Sequence, residues 1–313
     1  MKNDAWNPAP ALAGILVAVW LGMPALLFAQ AYPAKNPAAA CASKNLVDSA
    51  TVNGFVFKND HSDDGVCLRA IGAGKVLYSQ TGDSFESFTL GQPGDAEEDI
   101  PAIANGTDVT GRGRPDMIVS NFTGGAHCCT THYVFELAPQ FKLLATLSDA
   151  DDDLAHFERA KDGRYYYVTA DWAFAYWPTC FACSPSEVVT LHWMDDSKGG
   201  GFHLAVDKMH KPAPTPAEWS KDLGAAQKDV NAGNVDDIGR TMWQTVLDLI
   251  YAGHSDLAWR FIDALGPKAQ QKPLPSIADF CAVLKQSQYW PDLHPTLREM
   301  PVACANSAGK ESK

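Results

Sequence analysis

The chain has 313 residues, 46% of them hydrophobic, with 25 Lys and Arg against 37 Asp and Glu and a formal charge of −12. That length can bury the core of one large or two medium domains. An acidic chain with no basic tract is poorly suited to nucleic acid or to an anionic membrane surface.

The N-terminus carries Lys2, then an apolar run from Ala11 to Phe28 interrupted by Pro24, then Ala29-Gln30-Ala31 before Tyr32-Pro33. A positive start, an apolar middle and a small-residue exit are the parts of a secretory signal peptide, expected over residues 1–31. Cleavage would leave about 280 residues with no later stretch apolar enough to span a bilayer. The chain is therefore expected to be exported, to a periplasm or beyond. Ala38-Ala39-Ala40-Cys41 lies too far past the apolar run for a lipid anchor. All eight cysteines, Cys41, Cys67, Cys128, Cys129, Cys180, Cys183, Cys281 and Cys304, follow the cleavage point. An even count in an oxidising compartment makes disulfides the expected state.

Residues 32–50 show no period and read as a linker. From 51 to 210 the texture is that of an antiparallel β domain, propeller-like or a sandwich. Thr131–Leu137 alternates, with Tyr133, Phe135 and Leu137 on one face and His132, Val134 and Glu136 on the other, the pattern of a half-buried strand. Ala138-Pro139-Gln140 breaks it, and Phe141–Leu147 returns as the second arm of a hairpin. Further strands are expected at Asp116–Ser120, Tyr165–Ala170, Glu187–Trp193 and Phe202–Val206. Gly65, Gly113 and Gly163 are spaced by about 50 residues, near the length of a propeller blade.

Pro212-Ala213-Pro214-Thr215-Pro216 marks a domain boundary. Beyond it, over 217–304, a small helical bundle is expected, followed by a tail at 305–313. Helices are expected near Ala217–Val230, through Met242, Val246, Leu249 and Ile250 to a cap at Gly253, from an N-cap at Ser255 through Leu257, Phe261 and Leu265, and from Ser276 through Ile277, Phe280, Cys281 and Leu284. Cys281 faces inward, and a bond to Cys304 would pin a proline-rich tail. The fold class is thus α+β.

Three segments carry candidate chemistry. Asp108-Val109-Thr110-Gly111-Arg112-Gly113-Arg114-Pro115-Asp116 runs into the apolar strand Met117-Ile118-Val119. It resembles the calcium loop of FG-GAP and VCBS-type repeats, in which oxygens at positions 1, 3, 5 and 9 surround the ion. The resemblance covers about 15 residues in one copy and implies a propeller-like β fold with a binding or adhesion role. Asp108, Thr110 and Asp116 match positions 1, 3 and 9 and form a weak calcium candidate. Arg112 departs at position 5, where a guanidinium cannot ligate a cation. The bland alternative is a loop whose aspartates accept backbone hydrogen bonds or pair with Arg112 or Arg114.

The second segment is Gly124–His132, which with Cys180-Phe181-Ala182-Cys183 gathers four thiols and the imidazoles of His127 and His132. Cys128 and Cys129 could each pair with Cys180 or Cys183 as a staple. His127 and His132 with the thiols could hold zinc or copper. Cys180-x-x-Cys183 could instead exchange disulfides. Pro178 and Ser184-Pro185 give it loop chemistry rather than the strand-to-helix setting of a thioredoxin motif, and the staple is the reading adopted. The third segment joins the acidic run Asp149–Asp153, read as a solvated loop, to an aromatic cluster at Tyr165–Tyr167, Trp172, Phe174, Tyr176 and Trp177. That cluster is read mainly as core, with some members left to form a ligand platform. Glu158, Asp162 and Asp171 have no arrangement that sets up an acid/base pair, and no Gly-x-Ser-x-Gly, phosphate loop or His-Glu-x-x-His occurs.

The reading is an exported, disulfide-stabilised binding or scaffold protein without catalysis and without a required cofactor. Its partner would be a protein or small molecule, and after cleavage it would not span a membrane. The alternative is an envelope metalloprotein or enzyme built on the patch at 127–132 and 180–183.

Overall fold

The computed structural model describes residues 41, 45–124, 130–149, 155–178, 180–196 and 199–305. Residues 1–31, read above as a signal peptide, His127, Cys128, Cys129, the acidic residues Asp151, Asp152 and Asp153, and the tail from 306 lie outside the described residues.

Among the described residues, twelve strands form three four-stranded antiparallel sheets, each in chain order. The first contains β1 (Asn45–Val52), β2 (Phe55–Ser62), β3 (Gly65–Gly72) and β4 (Lys75–Gly82). Its turns explain its register. Asn53 and Gly54 have φ of 49° and 80°, and Ala73 and Gly74 have 48° and 75°. Two consecutive positive φ values match the twist of a two-residue hairpin, which is why Asn-Gly serves here. β1 takes in residues 45–50, which the sequence reading placed in a linker. Its side chains are mostly exposed, so the backbone ladder to β2 holds it and no hydrophobic period marks it.

The second sheet contains β5 (Ser87–Leu90), β6 (Asp116–Phe122), β7 (Thr130–Glu136) and β8 (Lys142–Ser148). The third contains β9 (His156–Arg159), β10 (Tyr165–Asp171), β11 (Glu187–Met194) and β12 (Gly201–Leu204). β12 stops short of the expected Val206, which instead opens the one-turn helix α1 (Val206–Met209). The spaced glycines are only partly equivalent. Gly113 and Gly163 precede the second strands β6 and β10, whereas Gly65 opens the third strand of its sheet. All three sheets are four-stranded meanders, and Gly54 precedes the second strand of the first.

The sheets stack through two cores. Phe57, Val66, Leu68 and Ala70 of the first sheet pack against Phe88, Met117, Val119, Tyr133 and Phe135 of the second. On the other face of the second sheet, Ile118 and Val134 join Phe157, Tyr167, Val189 and Leu191 of the third sheet and most of the helical core. β7 is therefore buried on both faces, not one. Its alternate residues enter different cores, and His132 and Glu136 are covered as well.

The helices are α2 (Pro216–Ala232), α3 (Val235–Ile238), α4 (Gln244–Tyr251), α5 (Ser255–Leu265), α6 (Ile277–Leu284), α7 (Trp290–Leu293) and α8 (Val302–Ala305). Capping boxes start two of them: Thr215 with Glu218, and Ser276 with Asp279. A π-turn, Gly239–Trp243, joins α3 to α4. Ser255 is the first residue of α5 and not its cap. Its hydroxyl donates to the Arg298 carbonyl and accepts from the Arg298 N–H, tying the C-terminal segment to α5. The texture change at 212–216 marks a change of element type over one continuous core, because α2, α4, α5 and α6 bury their apolar stripes in the same cluster as the third sheet. Among the described residues no helix is long and apolar enough to cross a membrane.

Candidate functional site

The calcium-like loop folds as a tight turn. Asp108 accepts the N–H groups of Arg112 at 3.0 Å and Gly113 at 2.7 Å. Asp116 Oδ2 accepts both the N–H and the hydroxyl of Thr110, at 3.0 and 2.9 Å. The Thr110 hydroxyl also lies 3.3 Å from Asp108 Oδ1. Asp108, Thr110 and Asp116 are thus brought together, with their oxygens largely turned onto the loop's own donors. The aspartates do not pair with arginine. Arg112 and Arg114 both clamp Glu136, directly across the ladder from Asp116, at 2.8 and 2.9 Å. Arg112 also reaches Asp195 at 3.3 Å and lies over the Trp193 ring. The residue that breaks the calcium pattern is thus the counter-ion of a buried glutamate.

Asp116 Oδ1 is buried and has no hydrogen-bond partner among the described residues. Burial pushes the carboxyl up to about 6, against the lowering effect of the Thr110 hydrogen bonds. The folded value lies above the ordinary 3.8. This group's contribution to stability is therefore full below about pH 3.8 and is lost as pH rises through about 6. In chelator at pH 7, Asp116→Asn should gain on the order of 1–2 kcal/mol and flatten that slope. Chemical denaturation at pH 4 and pH 7 measures this, and an unchanged slope would exclude Asp116 as its source.

The cysteines divide differently from the expected staple. Cys41 pairs with Cys67, Cys281 with Cys304, and Cys180 with Cys183, with Cα separations of 5.7, 5.2 and 5.1 Å. Cys180 and Cys183 are therefore unavailable to Cys128 and Cys129, which lie outside the described residues. A 3-10 turn, Phe181–Cys183, brings the pair within ordinary disulfide reach without a second loop.

His132, one of the two histidines considered as metal ligands, is buried on β7. Its Nδ1 lies 2.8 Å from Asp149 Oδ2 and 2.7 Å from the Tyr167 hydroxyl. Thr169 donates to Asp149 Oδ1 at 3.2 Å. Asp149, read as part of a solvated acidic loop, is only 2% exposed. It is the buried anchor of a His–Asp–Tyr–Thr network across the ends of β7, β8 and β10. His127 lies outside the described residues. Among the described residues no group of three or more His, Cys, Asp or Glu is gathered around a common point.

Asp149 and Tyr167 back a cavity of about 320 Å³ between β8, the third sheet and the chain around α7. Thr146, Leu191, Phe202, His203, Gln288 and Asp292 complete the wall. Asp292 is held by His203 Nδ1 at 2.9 Å and by the Leu204 N–H at 3.0 Å. Asp292, its side chain 25% exposed, and the Gln288 amide stand at the wall among apolar side chains, while Asp149 and Tyr167, 2% and 0% exposed, back the wall from beneath. The sequence gives no sign of the second pair, because His203 and Asp292 lie 89 residues apart.

The aromatic cluster divides between core and surface, but not by alternation, since the adjacent Tyr166 and Tyr167 are both buried. Tyr166, Tyr167 and Phe174 are buried, and Trp177 packs against Trp243 and Phe280. Trp172 stacks on Phe181 at 5.0 Å, and Tyr176, 61% exposed, leans on the same ring. Of the three acids without a sequence arrangement, Asp171 is a structural acceptor for Tyr251 and Ser287, and Asp162 binds Arg164, Lys208 and Tyr166 at the surface. A carboxyl pair escaped sequence reading. Glu187 is pushed well above the usual range by burial and by hydrogen bonding to Asp248, with Lys211 opposing.

No family model matches the chain, and neither does any curated protein or solved structure compared with it.

Proposed function

We propose that this chain is an exported, disulfide-stabilised binding protein, and that its ligand is a small molecule bearing hydroxyl or ammonium donors seated in the cavity beside Asp149, Tyr167 and Asp292. The observation that carries the reading is the fixing of Asp292 at the cavity wall, with Asp149 fixed behind it. His132 and Thr169 hold Asp149, while His203 and the Leu204 N–H hold Asp292. A carboxylate already oriented at a partly apolar cavity suits recognition of donor groups with little ordering penalty. Three disulfides and the signal-peptide pattern support an oxidising destination. Three stacked meanders and the loop at 108–116 support a propeller-type relationship and the FG-GAP-like resemblance.

Thermal melting with a panel of monosaccharides, amino sugars and polyamines tests this. At least one class should raise the melting temperature of the native chain, with the shift largely lost in Asp292→Asn. The absence of any shift across the panel would overturn the reading.

Calcium at Asp108, Thr110 and Asp116 is a second element of the same proposal, supported by the unpartnered Asp116 Oδ1. The ion would be held by oxygens as hard cations are. The rival reading, an envelope enzyme or metalloprotein, draws support from the His132–Asp149 pair, in which a carboxylate orients an imidazole as in a general base.

A further inference from the structure

The Cys180–Cys183 bond is the least suited of the three described disulfides to act as a staple. It links residues only three apart, whereas the others span 26 and 23. Loop-closure stabilisation falls as the loop shortens, so this bond constrains the unfolded chain least. Its two sulfurs also differ. Cys180 is exposed, while Cys183 is 2% exposed.

The buried side of the bond meets a cation. Arg240 donates through Nε to the Ala182 carbonyl at 2.9 Å and brings Nη2 to 3.8 Å from Cys183 Sγ. Arg240 sits in the π-turn Gly239–Trp243, a local widening of the helix that often marks functional sites. Its neighbour Gly239 makes the approach close. A Cβ there would fall 2.0 Å from the Cys183 carbonyl oxygen. Next to Cys180 in the chain, Phe181 stacks on Trp172 and meets Tyr176, 61% exposed, an aromatic surface against which a peptide can lie.

We propose that Cys180–Cys183 is a thiol–disulfide exchange centre acting on cysteine thiols of a peptide or protein. Cys180 is the sulfur attacked, and Arg240 stabilises the Cys183 thiolate that leaves. A partner thiolate attacks Cys180 Sγ, forming a mixed disulfide and breaking the Cys180–Cys183 bond. The electron pair of that bond goes to Cys183 beside the guanidinium, where a thiolate is favoured. A second thiolate of the partner then attacks its own sulfur in the mixed disulfide and releases Cys180. The partner gains one disulfide, and its two electrons and two protons pass to Cys180 and Cys183. The reverse sequence reduces a partner disulfide. This activity is independent of the ligand cavity proposed above.

The experiment is timed reduction of the full oxidised chain by glutathione, quenched by alkylation and read by peptide mapping. Cys41–Cys67 and Cys281–Cys304 serve as internal controls. Cys180–Cys183 should open about tenfold faster than either control. Exposure alone could produce that difference, so Arg240→Gln is the deciding variant. It should slow opening of Cys180–Cys183 several-fold at an unchanged melting temperature, and Arg240→Lys should restore part of the rate. Cys183→Ser, which leaves Cys180 without its partner sulfur, should collect a glutathione adduct at Cys180 when offered oxidised glutathione. Opening no faster than the controls, an Arg240→Gln rate equal to the native one, or no adduct on Cys183→Ser would each overturn the proposal.

Discussion

Trp243→Ala should lower the stability of the chain by about 4 kcal/mol, near the top of the range for emptying a large buried aromatic site. Trp243 is fully buried, stacks on Phe280 with ring centroids 4.8 Å apart and planes at 10°, and meets the edge of Trp177 at 5.3 Å. It lies at the end of the π-turn, where the helices close over the aromatic side chains that follow β10. Truncation removes contacts to both aromatics, and close-packed neighbours cannot collapse into the space. Trp243→Phe separates packing from polarity. The indole N–H has no partner among the described residues, and a buried orphan donor is itself unfavourable by about 1–3 kcal/mol. Phenylalanine removes that donor while keeping most of the stack, so its loss should stay below about 2 kcal/mol. Urea unfolding of both variants measures the difference. Equal losses would mean that the stack contributes little.

Replacing both Cys281 and Cys304 by alanine should lower stability by about 3 kcal/mol and expose the chain beyond Arg298 to protease. The bond spans 23 residues, and both sulfurs are buried. Alanine avoids the further penalty of a buried serine hydroxyl, so the loss reports mainly on the crosslink. The segment before the bond has other anchors. Ser255 exchanges two hydrogen bonds with Arg298, and Trp259 donates to the Arg298 carbonyl. New cleavage should therefore fall after Arg298 and not within α7. A melting temperature equal to the native one would show that α6 and the terminal segment hold together without the disulfide.

The strands were legible where one local signal sufficed. Period-two alternation located β7 and β8, and apolar spacing located α4 and α6. β1 was missed because an edge strand with exposed side chains has no hydrophobic period. The burial of β7 on both faces was misread for a related reason. Alternation separates two faces but does not say that each meets a different core, although Val134 and the neighbouring run Met117-Ile118-Val119 were the available hint.

The candidate site was legible only in its near-sequence parts. Asp108, Thr110 and Asp116 lie within nine residues and do converge. The mismatch at Arg112 was visible, but its partner Glu136, 24 residues away on the next strand, was not. Asp149 looked like one more residue of an acidic loop, because nothing in its sequence surroundings shows that His132 and Thr169 bury it. His203 with Asp292, and Glu187 with Asp248, meet only through the packing of the third sheet against the helices. Pairing at such separations follows from topology, which a single sequence does not specify. The disulfide between Cys281 and Cys304 was readable because helix phase and a proline-rich tail left few alternatives. The split of Cys180 and Cys183 from Cys128 and Cys129 was not.

The most direct test of the binding proposal is native mass spectrometry of the chain, titrated with whichever panel compound raises its melting temperature. The proposal predicts one saturable adduct per chain, lost in Asp292→Asn, with the released compound unchanged in mass after prolonged incubation. A compound recovered chemically altered would establish the enzymatic rival, and a native chain that forms no adduct would contradict a ligand site at the Asp149–Asp292 cavity.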